Sequence, residues 1–122
     1  MNRLAPFAAA LAVLAAGLAV RVFTGGAFAK FAGVALYTVL LYTLVVLAAP
    51  RIRPPVAATI ALAASWAVEF FQLTPIPADL SARSTLARLV LGSTFNAPDL
   101  LWYAVGAALA AGVHLAARRA RT

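Results

Sequence analysis

The chain has 122 residues, 65% of them hydrophobic and 11% charged, with a mean hydropathy of +0.97. A soluble domain is about half apolar and a quarter charged, and one of this length hides only about two-thirds of its surface, so the composition excludes a soluble globular fold and fits a chain solvated by a bilayer. The net charge of +7 does not point to nucleic acid, because the basic residues stand at the ends of apolar runs.

A membrane helix needs about 20 mainly apolar residues, and four segments qualify. The first runs from Leu4 to Phe23, broken by Arg21 near its end. Arg3, this run and Ala27-Phe28-Ala29 also resemble a signal peptide with its cleavage site. The run is longer than the usual apolar region of such a peptide and Arg21 interrupts it, which favours an uncleaved first helix. Thr24-Gly25-Gly26 ends it, and a second helix is expected from Phe31 to Ala49.

Pro50-Arg51-Ile52-Arg53-Pro54-Pro55 is a tight basic turn, and Pro55 suits the first turn of a third helix running to Leu73. Thr74-Pro75-Ile76-Pro77 closes that helix. Residues Leu80 to Phe95 are half apolar, carry Arg83 and Arg88 and are too short to span. They read as an interfacial or re-entrant helix, or else as an ordinary surface helix over the bundle. Asn96 or Asp99 caps a fourth spanning helix from Asp99 to Ala117. The expected fold is all-α: one polytopic membrane domain over residues 1–122, with four transmembrane helices and a short helix between the third and fourth.

The charges set an orientation. Arg3, Arg51, Arg53, Arg118, Arg119 and Arg121 collect on one side without an acid. Arg21, Lys30, Arg83 and Arg88 collect on the other with Glu69, Asp79 and Asp99. The positive-inside rule then puts both termini in the cytoplasm and every carboxylate at the outer face.

Glu69 and Gln72 are three residues apart and share a helix face with Ser65. An ionisable group in an apolar helix usually faces the bundle interior or a wet cavity. Glu69 is also only about 6 Å from its helix end, so an interfacial position stays open. Asp99 in a first helical turn complements the helix dipole. Tyr103 and Gly106 follow on the same face, and Gly106 permits close helix contact. The topology lets Glu69, Gln72, Arg83, Arg88, Asp99, Arg21 and Tyr103 gather near the outer interface. They form either a charge-paired pocket for a polar or anionic group, such as a lipid headgroup, or a purely structural network joining helix ends. Trp66, Trp102 and Tyr103 fit an interfacial aromatic belt. His114 complements the carboxyl end of the fourth helix. With no cysteine and this single histidine, no metal site, catalytic set or cofactor is expected.

Glu69-Phe70-Phe71-Gln72-Leu73, Arg83-Ser84-Thr85-Leu86, Leu89 to Phe95 and Asp99-Leu100-Leu101-Trp102-Tyr103-Ala104-Val105-Gly106 together resemble a bacterial membrane family, domain of unknown function 2809. Arg21-Val22-Phe23 and Gly33 to Tyr37 are similar to its amino-terminal half. More distantly, the Glu-x-x-Gln helix end, the following Arg and the Asp opening a helix are similar to VanZ-type proteins, in which Asn tends to stand where this chain has Tyr103. Some VanZ proteins are linked to glycopeptide-antibiotic resistance. The resemblance implies a bacterial inner-membrane protein with at most an envelope role, and no particular reaction.

Two readings lead. One is a membrane protein binding a lipid or envelope-related molecule at its outer polar pocket. The other is a structural or accessory subunit that packs against another membrane protein or a second copy. A transporter ranks below these, because four helices are few and the midplane is expected to lack polar residues. An enzyme using Glu69 and Asp99 as acid and base also ranks below, since nothing specifies a substrate. Membrane lipids are the expected partners, and nucleic acid is not.

Overall fold

The computed structural model describes residues 4–91 and 97–120, and every regular element among them is helical. The helices are α1 (Leu4–Phe23), α2 (Gly26–Ala48), α3 (Pro54–Phe71), α4 (Ile76–Arg83), α5 (Thr85–Leu91) and α6 (Ala97–Ala120). Four of them, α1, α2, α3 and α6, are long and apolar enough to cross a membrane. The chain is thus a multi-pass membrane protein by the length and composition of its helices. The expected cap at Asn96, the motif residues from Gly92 to Phe95, and Arg3 and Arg121 lie outside the described residues.

Helix ends differ from the expected ones where local chemistry decides. The second helix begins at Gly26 rather than near Phe31, because Gly26 takes φ +66° and reverses the chain in one step. Only glycine enters that left-handed region without a steric penalty. α3 stops at Phe71, short of Leu73, and the Thr74 hydroxyl donates to the Phe71 carbonyl just before Pro75. The Pro75–Pro77 stretch, expected only to terminate α3, also starts α4, with Pro77 buried in its first turn. Proline is tolerated there because its missing amide would have had no helical partner.

The expected single helix over residues 80–95 is instead two short ones. Extended backbone at Ser84 breaks the chain, and the Ser84 hydroxyl accepts the Ala87 amide at 3.2 Å, capping α5. Neither α4 nor α5 is long enough to span a membrane.

Three helices build the interior. α2 and α6 run parallel and keep one register. Phe31 stacks on Trp102 with ring centroids 5.2 Å apart, Ala35 meets Gly106, and the Tyr42 hydroxyl lies 2.6 Å from His114 Nδ1. α3 runs antiparallel to both and presents Ala57, Ala61, Ser65 and Glu69, each 0% exposed. A fourfold spacing puts these on one ridge of the helix, and their small size lets backbones approach where dispersion, not hydrophobic exclusion, drives association. α1 lies against α2 and buries only Ala10. Its Leu4, Phe7 and Leu11 point outward, as expected of side chains solvated by lipid.

The middle of the bundle is not polar-free, contrary to the expectation from sequence. Thr38 on α2 and Ser65 on α3 are both fully buried, with hydroxyls 2.7 Å apart. Ser65 also donates to the Ala61 carbonyl at 2.9 Å. Such hydroxyls are cheap to insert because the helix's own carbonyls satisfy them.

The α2–α6 contact is tightest at Gly106. A Cβ there would stand 2.3 Å from the Ala35 carbonyl oxygen, whereas at Gly112 it would meet nothing within 4 Å. Gly106→Ala should therefore destabilise the protein by roughly 1–3 kcal/mol. Gly112→Ala should be neutral or slightly stabilising. Thermal unfolding of both variants in detergent checks this, and equal midpoints would contradict it.

Candidate functional site

The polar residues concentrate where α3 ends and α6 begins. The Glu69 carboxyl is completely buried, and Tyr103, in the second turn of α6, donates its hydroxyl to Glu69 Oε1 at 3.0 Å. An isolated charge at the centre of a membrane helix costs about 3 kcal/mol even on insertion-based scales, so a buried carboxyl so near the lipid demands such a donor. Asp99 stands beside Glu69, close enough for their side chains to share a hydrogen bond. Asp99 is only 7% exposed, and its Oδ1 is buried without a hydrogen-bond partner.

Around this pair lies a cleft of about 540 Å³ between α1, α2, α3, α5 and α6. Asp99, Tyr103, Gln72, Tyr37, Arg21 and Lys30 line its polar end, and Val13, Leu14, Leu18, Leu36 and Leu40 line the rest. Arg21 leaves the last turn of α1 and Lys30 the start of α2, both exposed. Lys30 acts electrostatically on Asp99 and also lies over the Phe31 ring, 5.5 Å from its centroid. Tyr37 packs its ring 6.1 Å from that of Tyr103 and donates its hydroxyl to the Val90 carbonyl at 2.9 Å, fastening α5 to the bundle.

Of the seven residues singled out from the sequence, the structure gathers Arg21, Gln72, Asp99 and Tyr103 around one cleft, with Glu69 behind it. Arg83 and Arg88 do not line this cleft. They are exposed on α4 and α5, and Arg88 donates to the Ser81 carbonyl at 3.1 Å. Tyr103, expected also in an aromatic belt, is buried and turned inward. Trp102 packs on Phe31, and Trp66 donates its indole N–H to the Leu100 carbonyl at 3.0 Å. Lys30, placed from sequence only on the carboxylate side, and Tyr37 were not singled out as site residues. Lys30 could have been found by its position beside the Gly25-Gly26 break, which turns it toward the polar end.

A second polar pair sits near the opposite end, where His114 pairs with Tyr42 instead of merely complementing the helix dipole. Nearby, Arg118 donates to the Ile52 carbonyl at 3.1 Å, joining α6 to the α2–α3 turn. Among the described residues no group of three or more His, Cys, Asp or Glu could hold a metal ion.

The Glu69–Tyr103 contact yields a direct prediction. Tyr103→Phe keeps the ring but removes the hydroxyl that donates to Glu69 Oε1, and should cost about 1–2 kcal/mol. Glu69→Gln, which can still accept from Tyr103, should cost less. Unfolding in detergent compares the two, and a Tyr103→Phe variant as stable as wild type would contradict the assigned contact.

No curated protein and no solved structure matches the chain. The family described as "Protein of unknown function (DUF2809)" matches residues 23–107, a stretch that runs from the end of α1 through Glu69 and Asp99 to Gly106 and Ala107. Nearly all of the polar end described above falls inside it. The match covers well over half of the chain, which therefore belongs to the DUF2809 family.

Proposed function

We propose that the protein binds a membrane amphiphile in the cleft between α1, α2 and α6. The observation that carries this reading is the division of the cleft wall. One end offers Arg21, Lys30, Asp99 and Gln72, and the remainder is aliphatic. A ligand that fills such a site has a charged or polar head and an apolar body, which describes a lipid or a lipid-linked envelope intermediate. Sites of this kind are concave and mostly apolar, with a few convergent polar groups, and a volume of about 540 Å³ is in the range that holds a headgroup with part of its acyl chains.

The proposed setting is a bacterial cytoplasmic membrane, with both termini in the cytoplasm and the cleft's polar end at the outer face. The positive-inside rule supports this through Arg51, Arg53, Arg118 and Arg119, which lie at the opposite end of the bundle from Glu69, Asp79 and Asp99. The resemblance of the motifs to bacterial membrane proteins points the same way.

The Glu69–Tyr103 hydrogen bond favours a second reading. In that reading the polar end only clamps α3 to α6, and the protein serves as a structural or accessory subunit for another membrane protein or a second copy. Native mass spectrometry of the purified protein separates the two. The binding reading expects phospholipid to be retained, and a double variant, Arg21→Glu with Lys30→Glu, to retain about tenfold less at an unchanged unfolding midpoint. Undiminished retention removes the cleft as the binding site. A fallen midpoint with no lipid in either protein supports the clamp.

A further inference from the structure

Two features of the cleft do not follow from a generic lipid site. Its inner wall carries one acid, Asp99, with the buried Glu69 behind it. Asp99 lines the cleft, its side chain is only 7% exposed, and its Oδ1 is buried and has no hydrogen-bond partner. Buried carboxylate oxygens normally accept hydrogen bonds, and an unused buried acceptor points to a donor from outside the chain. The outer wall is basic, formed by Arg21 and Lys30. The cleft therefore presents a negative group deep within and positive groups at its rim.

We propose that the occupant is a phospholipid whose headgroup ends in a primary amine. This rests on the reading of the cleft as an amphiphile site and specifies the chemistry of the head. The ammonium donates to Asp99 Oδ1. The phosphate meets Arg21 and Lys30, which suit it as charged donors. The acyl chains follow Val13, Leu14 and Leu18 down α1 toward the lipid. An anionic glycerol headgroup would satisfy the two bases but bring no cation to Asp99. A quaternary choline headgroup has the charge but no N–H, so it would leave Asp99 Oδ1 without a donor. Only a headgroup with a phosphate and a primary ammonium satisfies both walls.

The aliphatic wall selects a membrane lipid over the soluble phosphoethanolamine that carries the same head. Leu14, Leu18, Leu36 and Leu40 offer acyl chains an apolar wall that a free head cannot use.

Delipidated protein in detergent, titrated with phosphatidylethanolamine, phosphatidylcholine and phosphatidylglycerol and read by native mass spectrometry, tests the assignment. Wild type should retain phosphatidylethanolamine about tenfold better than either of the others. Asp99→Asn, which preserves shape and removes the charge, should bring the three lipids to within about twofold of one another. Lys30→Gln, at an exposed position, should weaken all three without reordering them. Equal retention of the three lipids by wild type would overturn the amine assignment while leaving the amphiphile site standing. Retention of none would overturn both. Soluble phosphoethanolamine displacing the lipid at equal concentration would overturn the choice of a lipid over the free head.

Discussion

The bundle is organised by one constraint: surrounded by hydrocarbon, each polar side chain must find its partner inside the protein. Three contacts between helices meet it. Thr38 and Ser65 join α2 to α3, Glu69 and Tyr103 join α3 to α6, and Tyr42 and His114 join α2 to α6. Each pair of the three interior helices thus carries a side-chain pair at its own depth, and the Trp66 indole adds a bond to the Leu100 carbonyl between α3 and α6. Interhelical hydrogen bonds in membranes average only about 0.6 kcal/mol, so these contacts set register more than they supply stability. Most of the association comes from close backbone packing at Ala57, Ala61, Gly106 and Ala107.

The same arrangement explains why there is room for a ligand. α1 rests on α2 and makes no comparable contact with α6. Helices α1 and α6 therefore flank α2 like the two sides of a trough. At one end the trough has the polar wall described above. At the other it is a groove of about 700 Å³ lined chiefly by Ala9, Val13, Val39, Val46, Leu109 and Val113, with Tyr42 and His114 at its edge. The chemistry of the two ends differs because the charges do. Carboxylates stand only at the end where α3 passes into α4, and the opposite end carries arginines.

Much of this was legible in the sequence. The four apolar runs fixed the number of long helices, since hydropathy over about 20 residues is the strongest signal a membrane chain carries. Proline and glycine marked the turns, although not which residue opens the next helix: Gly26 and Pro77 act as starts as much as stops. The break at Ser84 escaped notice because a serine cap has no signature apart from the helix it opens. Glu69 and Asp99 stood out as charges in apolar surroundings. Their partner Tyr103 was harder to assign, because an interfacial tyrosine and a buried donor look alike until the facing helix is placed. Ser65 was placed on the Glu69 face, but its partner Thr38 escaped, since a lone hydroxyl barely alters hydropathy. Arg83 and Arg88 were drawn into the polar cluster by proximity along the chain, but α4 and α5 carry them out to the exposed surface.

The account as a whole depends on four crossings that leave the carboxylates on one side of the membrane and Arg51, Arg118 and Arg119 on the other. The chain has no cysteine, so single cysteines report side without background. Asp79→Cys, Arg51→Cys and Arg119→Cys, probed with a membrane-impermeant maleimide in intact cells, test this most directly. The account predicts that Asp79→Cys is labelled at once and the other two only after permeabilisation. Labelling of all three in intact cells, or of Arg51→Cys while Asp79→Cys stays protected, would contradict it.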